Sequence, residues 1–170
     1  MWGERANALM TEQVPTAWSD SPQVRRLYIN PLISGTADTG WLEYVARQYF
    51  PTPVGLALSL GCGGGGLERH GFDLQIAREF LGLDVFEGAI SLARAEAGKP
   101  RKRRIRYEVA DLNTLVLPEN LYDVVFASQS LHHIAALEHY LEQVRRTLKP
   151  GGLFIINEFV NITTLHPYQI

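Results

Sequence analysis

Apolar residues follow two rhythms along this chain. Short runs rich in β-formers recur at about 55–60, Glu79–Asp84, Ile105–Ala110, Tyr122–Ala127 and Leu153–Phe159, and each reads as a buried strand. Between them the spacing shifts to the helical period. A helix is expected over 87–97, with Ile90 and Ala93 inward and Gly98 past its end. Another is expected over 135–148, with Leu137, Tyr140, Leu141, Val144 and Leu148 on its apolar face and Lys149-Pro150-Gly151-Gly152 ending it. After the first strand comes a glycine-rich turn and a short segment of about two helical turns before Gly71.

The first fifty residues pattern differently. Trp2, Pro15 and Trp18 sit among polar residues that give no clear period. Ser21-Pro22 is a helix start, and a helix over about 22–29 should end at Asn30-Pro31. Gly35 to Gly40 reads as a loop. Trp41, Leu42, Val45 and Tyr49 then mark one face of a helix over 40–50, stopped by Pro51 and Pro53. The chain thus divides into a helical cap or lid segment, 1–50, and an α/β domain, 51–170.

Strands alternating with helices imply a mostly parallel, doubly wound sheet with both faces covered. Ligands of such sheets sit beyond the carboxyl ends of the strands. The residues there are Gly61 to Gly65, Asp84, Asp111 and Ser128 to His133. The glycine turn lets the backbone take positive φ and lets a ligand approach the main chain. Gly61, Gly63 and Gly66 fit the dinucleotide pattern G-x-G-x-x-G, and Gly61, Gly63 and Gly65 fit G-x-G-x-G. Asp84 follows Gly61 by 23 residues, the spacing of an acid that accepts from ribose hydroxyls. Each hydrogen bond to such a charged group contributes roughly 1.5–3 kcal/mol. Asp111, in Ala110-Asp111-Leu112, can accept from the exocyclic amine of adenine while the Leu112 N–H serves a ring nitrogen.

Composition narrows the classes. With 46% hydrophobic and 20% charged residues and a net charge of −2, the chain has the make-up of a globular domain without a pull towards nucleic acid or anionic membrane. A single cysteine, Cys62, excludes an internal disulfide and a zinc-thiolate cluster, so no metal is expected and a cytoplasmic setting is. Neither a membrane-length apolar run nor a signal-peptide layout is present in the sequence.

The ordered set of motifs resembles the class I S-adenosylmethionine-dependent methyltransferases. It comprises Leu58-Ser59-Leu60-Gly61-Cys62-Gly63, Gly82-Leu83-Asp84, Ala110-Asp111-Leu112, Tyr122-Asp123-Val124-Val125, Leu131-His132-His133-Ile134 and Leu148-Lys149-Pro150-Gly151-Gly152. The resemblance implies a Rossmann-like methyltransferase sheet and S-adenosyl-L-methionine as cofactor. It implies that Gly61, Cys62, Gly63 and Gly65 line the methionine part and that Asp84 holds the ribose, with Val85 and Phe86 beside the adenine. Asp111 and Leu112 would meet the adenine edge, and Ser128 and Gln129 the amino-acid end and the substrate. The cofactor is cationic, so it suits acids and small residues better than a phosphate cradle would. Methyl transfer is an in-line displacement, in which positioning can contribute roughly 7–11 kcal/mol.

Two features depart from that family. An acid often stands two residues before the first motif glycine, near the cofactor's amino group; this chain has Ser59. The family sheet usually has seven strands, whereas this chain ends soon after the fifth, leaving a strand edge for a partner, an oligomer contact, a missing segment or the 160–170 tail to cover. His132, His133 and Glu158 are the catalytic candidates: a histidine as general base, Glu158 near the acceptor. A structural histidine packed under the cofactor and a solvated Glu158 are the plain alternatives, and Cys62 is expected to be a small filler. Lys99, Arg101, Lys102, Arg103, Arg104 and Arg106 read as a solvated basic loop at the far edge of the sheet. The leading expectation is methyl transfer to a small-molecule or biosynthetic acceptor. The alternatives are a catalytically silent cofactor-binding module and an NAD-dependent oxidoreductase.

Overall fold

A computed structural model describes residues 21–98 and 104–158. Five strands form one parallel sheet: β1 (Val54–Leu60), β2 (Ala77–Asp84), β3 (Ile105–Val109), β4 (Tyr122–Ser128) and β5 (Leu148–Asn157), in the order β3-β2-β1-β4-β5. The helices are α1 (Pro22–Val24, a π-helical stretch Arg25–Ile29, then Asn30–Ser34), α2 (Trp41–Tyr49), α3 (Gly66–Asp73), α4 (Glu87–Ala97) and α5 (Leu137–Thr147), with a 3-10 turn at Leu131–His133. Chain order runs outward from β1 to β3, then crosses back to β4 on the other side of β1. That reversal opens a crevice at the carboxyl ends of β1 and β4.

Alternation along the strands sorts the core into two layers. Leu58, Leu60, Leu81, Leu83, Val125 and Ala127 face Tyr140 and Val144 of α5. Ala57, Phe80, Val124 and Phe126 face the other way, against Leu42, Ala46, Phe50 and Ile76. Ile90 and Ala93 of α4 pack on Tyr107 of β3, as the helical spacing predicts. No helix among the described residues is long and apolar enough to cross a membrane.

Several boundaries move for identifiable reasons. The first helix does not stop at Asn30-Pro31 but runs to Ser34 and ends at left-handed Gly35 (φ 77°). A π turn precedes Pro31, with the Asn30 N–H donating to the Arg25 carbonyl, and this widened ladder accommodates the proline ring. In α2, Tyr49 is half-exposed, and Ala46 and Phe50 take the inner face instead. α3 passes through Gly71 to Asp73, and glycine is needed at 71 because a side chain there would collide with the Phe80 ring. In α5, Leu137 and Leu141 lie outward, while Gln143 and Thr147 are buried with Tyr140 and Val144. Gln143 is satisfied by the Leu117 N–H (2.9 Å), and the Thr147 hydroxyl donates to the Pro118 carbonyl (2.5 Å). β5 begins at Leu148: Tyr122 pairs with Leu148 and Val124 with Leu153, so Lys149–Gly152 forms a bulge within the strand. β3 ends one residue early and β4 runs one residue longer than expected.

Within the described part, β5 is an edge, and Ile156 is half-exposed on it. Residues 1–20, the basic residues Lys99 and Arg101–Arg103, and the tail from 159 lie outside the described residues. Arg104 pairs with Glu79 (2.9 Å) at the amino end of the sheet.

Candidate functional site

The glycine turn is built by β1 entering the crevice and α3 leaving it. Gly61, Gly63 and Gly65 all have positive φ (77°, 51° and 76°). A Cβ at 61 would overlap Ser130, and one at 65 would overlap the Tyr107 ring, so those two positions are closed by packing. Gly63 differs: nothing lies within 4 Å of where its Cβ would project. The main chain at Gly63 is therefore open on that side.

Asp84 closes the turn from β2. Its carboxylate accepts the Gly63 N–H (2.8 Å) and the Phe86 N–H (2.9 Å). The Gly61 and Cys62 N–H groups donate to the Leu83 carbonyl (2.8 and 3.0 Å). Three successive loop donors are therefore already committed, one of them to a carboxylate. This loop does not offer the ring of free N–H groups that a pyrophosphate needs. Val85 stands largely exposed beside Asp84, with Phe86 half-buried. The Cys62 thiol is pushed well above its usual range, first by burial and then by the charges of Glu68 and Asp84, which makes it a poor nucleophile.

On the far side of Asp84 the Ala110 N–H donates to the Asp84 carbonyl (2.9 Å) and carries the chain to Asp111. The exposed Asp111 carboxylate accepts the backbone and side-chain N–H groups of Asn113 (2.9 and 3.0 Å), which hold it below the usual carboxylate range. Leu112 turns its side chain into the core. Asn113 in turn accepts the Ala135 and Ala136 N–H groups just before α5.

The β4 side is tied to both neighbours. Ser128 accepts from the Asn157 side chain (3.1 Å), and left-handed Gln129 (φ 53°) donates its N–H to the Asn157 carbonyl (2.8 Å). The buried Ser130 hydroxyl donates to the Leu60 carbonyl (2.8 Å), stitching β4's exit to β1's exit. Glu158 is not a solvated charge: its side chain is 10% exposed. It accepts the Ser130 and Leu131 N–H groups (2.5 and 2.8 Å), and its second oxygen lies 3.0 Å from His132 Nδ1. Burial alone would raise this carboxyl, but the His132 ring and the two N–H groups outweigh it and hold it low. The ionised carboxylate fixes the proton on Nδ1 and leaves Nε2 as the acceptor. Neither histidine is packed away: His132 and His133 are both exposed, their rings 3.9 Å apart.

Glu68 and Tyr107 were not among the expected site residues, and Ser130 was expected only as part of the Ser128 to His133 strand end. Glu68 is wholly buried, and neither carboxyl oxygen has a hydrogen-bond partner. Burial pushes its pKa up to about 7, against smaller downward pulls from the Ser59 hydroxyl, its own backbone N–H, Arg69 and the Tyr107 hydroxyl. The Tyr107 hydroxyl itself donates to the Gly65 carbonyl (3.0 Å). Nothing in the sequence flags Glu68, because a glutamate in a short helix ordinarily faces water. A shallow hollow lined by Pro53, Phe72 and Arg104 lies at the opposite end of the sheet, away from these groups.

Comparison with known proteins adds the family. The sequence profile described as "Methyltransferase domain" matches residues 58–156. A ubiquinone/menaquinone biosynthesis C-methyltransferase of Geobacter sulfurreducens is 27% identical over 164 residues, covering 92% of this chain and 59% of that protein. A crystal structure of an S-adenosylmethionine-dependent methyltransferase from Mesorhizobium loti is 33% identical with a TM-score of 0.58, over 68% of this chain and 52% of that one. The Haemonchus contortus phosphoethanolamine N-methyltransferase 2, solved with S-adenosyl-L-methionine, is 26% identical with a TM-score of 0.59, over 69% and 28% of the two chains. The chain thus spans 59%, 52% and 28% of the lengths of these three proteins.

Proposed function

This chain belongs to the class I S-adenosylmethionine-dependent methyltransferase family, and we propose that it transfers a methyl group from S-adenosylmethionine to a small-molecule acceptor. The observation that carries this reading is the open face of Gly63 beside the Asp84 carboxylate. Small residues, an acid and committed loop N–H groups suit an uncharged ribose and a cationic amino-acid chain. When bound, the cofactor supplies an electrophilic methyl on a sulfonium. Gly63 gives room to the methionine part, on a turn that Gly61, Cys62 and Gly65 shape beneath it. Asp84 has acceptor capacity left for ribose hydroxyls. Val85 and Phe86 flank the adenine, and Asp111 and Leu112 meet its edge. Ser128 and Gln129 face the acceptor side.

For an acceptor that sheds a proton, the chain also holds a base. Glu158 orients His132 so that Nε2 can take that proton, and the imidazolium formed is stabilised by the carboxylate 3.0 Å away. An acceptor with a dissociable O–H, or a quinol-type ring, fits this chemistry; the Geobacter relative's name points to quinones. The segment 1–50 is proposed as a cover, since in its described part Leu27, Tyr28 and Leu32 of α1 are largely exposed.

Calorimetry with S-adenosylhomocysteine tests the cofactor assignment. Micromolar affinity is expected, weakened at least tenfold by Asp84→Ala, about the 1.5–3 kcal/mol of a charged hydrogen bond. Transfer of labelled methyl to a panel of phenols and quinols should fall in His132→Ala while cofactor affinity stays. A folded sample that does not bind S-adenosylhomocysteine overturns the proposal. Tight binding with no transfer to any acceptor favours the silent module.

A further inference from the structure

One row of residues crosses the sheet just below the glycine turn. Register places Phe126, Ser59, Gly82 and Tyr107 side by side on β4, β1, β2 and β3. They face the layer covered by α3 and α4. The two small members, Ser59 and Gly82, leave space in that row, and the Tyr107 ring leans over Gly82. Into this space α3 sends Glu68 from its first turn. The groups facing its carboxyl are Ser59 from β1, Tyr107 from β3, and Arg69 from its own helix; Cys62 of the loop is within electrostatic reach. Arg69 spends one guanidinium donor on the Gly64 carbonyl (2.7 Å), and Tyr107 spends its proton on Gly65. Two of these facing groups, Arg69 and Tyr107, thus also hold the glycine turn in shape, while Ser59 faces the carboxyl from below.

A buried carboxyl with two unsatisfied oxygens is costly unless something answers it. The same layer lacks the acid that the methyltransferase family often carries at position 59. We propose that Glu68 is the carboxylate that answers the cofactor's positive charge at this turn, supplied from α3 instead of β1, and that cofactor binding displaces its proton. Glu68 acts through the loop: it is a positioning and charge-balancing residue with no exposed surface of its own. The inference rests on the cofactor reading above.

The linkage has a definite sign. Burial moves the group's titration up towards neutral pH, so the free protein holds part of it protonated there. A cation placed over the loop favours the ionised form, so binding releases a proton to solvent. S-adenosylmethionine, with its extra sulfonium charge, should release more than S-adenosylhomocysteine.

Titration calorimetry of the full chain at pH 7, in phosphate and in Tris, counts the proton through the two buffers' different ionisation heats. Net proton release on binding is expected for the wild type near neutral pH, shrinking as pH rises above the raised pKa. Glu68→Gln should release none and bind S-adenosylmethionine about tenfold more weakly. The wild-type pH series stands alone should that variant fail to fold. Binding without proton release at pH 7, or the same release in folded Glu68→Gln, overturns the inference while leaving the cofactor assignment intact. A folded wild type that binds neither ligand overturns both.

Discussion

Gly63 and Gly65 stand two positions apart in one turn, share positive φ and do different jobs. At 65 the Tyr107 ring fills the place where a Cβ would go; at 63 that place is empty. Alanine at either position costs roughly 1–2 kcal/mol for the left-handed backbone alone. Gly65→Ala should lose more than that in urea melts, since Tyr107 and its bond to the turn must move. Gly63→Ala should lose only the backbone component, yet bind S-adenosylhomocysteine at least tenfold more weakly, because its methyl occupies ligand space. Equal stability losses, with affinity unchanged in Gly63→Ala, would refute this division. Sequence alone showed that glycines are needed here. Which are closed by packing and which are open to a ligand depends on Ser130 and Tyr107, 65 or more and about 40 residues away, so no local pattern carries it.

Motifs at the scale of the element separate by which end of a strand they occupy. Tyr122-Asp123 and Lys149-Pro150-Gly151-Gly152 resemble family motifs, but they lie at the amino ends of β4 and β5, opposite the crevice. There Asp123 accepts the Leu56 N–H (2.8 Å) and pairs with Lys149 (2.8 Å), joining β1, β4 and β5. Burial alone would raise the Asp123 carboxyl, but Lys149 and the Leu56 N–H outweigh it and hold it below its usual range. Its contribution is therefore present above the unfolded carboxylate range and is lost as pH falls through the lowered native value. Asp123→Ala should cost about 1–3 kcal/mol at pH 7, less at pH 3, with cofactor affinity unchanged. A variant that keeps its stability but loses affinity would place Asp123 in the site after all. The alternation that marks strands was legible because it is local, and so were the strand-end acids. Helix faces were less so. Leu137 and Leu141 were expected inward, but Gln143 and Thr147 take those places by bonding to the 117–118 backbone, a contact that periodicity does not report.

Across the whole molecule, the topological reversal between β1 and β4 gives the two ends of the sheet different work. The carboxyl edge gathers Asp84, Glu68, Ser130 and the Glu158–His132 pair around one turn. The amino edge carries the Asp123–Lys149 tie and the Arg104–Glu79 pair. A ligand at the carboxyl edge should therefore slow amide exchange unevenly. Binding stabilises the whole fold and slows every amide that exchanges only through global unfolding. The informative amides are those in loops, which open locally. With saturating S-adenosylhomocysteine, hydrogen exchange should slow at 61–65, 85–86 and 128–131. The Thr52 amide and those of Lys149, Gly151 and Gly152 in the bulge should exchange as before, since among the described residues no side-chain bond ties them to the crevice except through the strands. Equal slowing at 149–152 would mean that the ligand sits elsewhere or that the sheet responds as one body. Slowing confined to the three carboxyl-edge loops would map the cofactor onto the crevice without any knowledge of the acceptor.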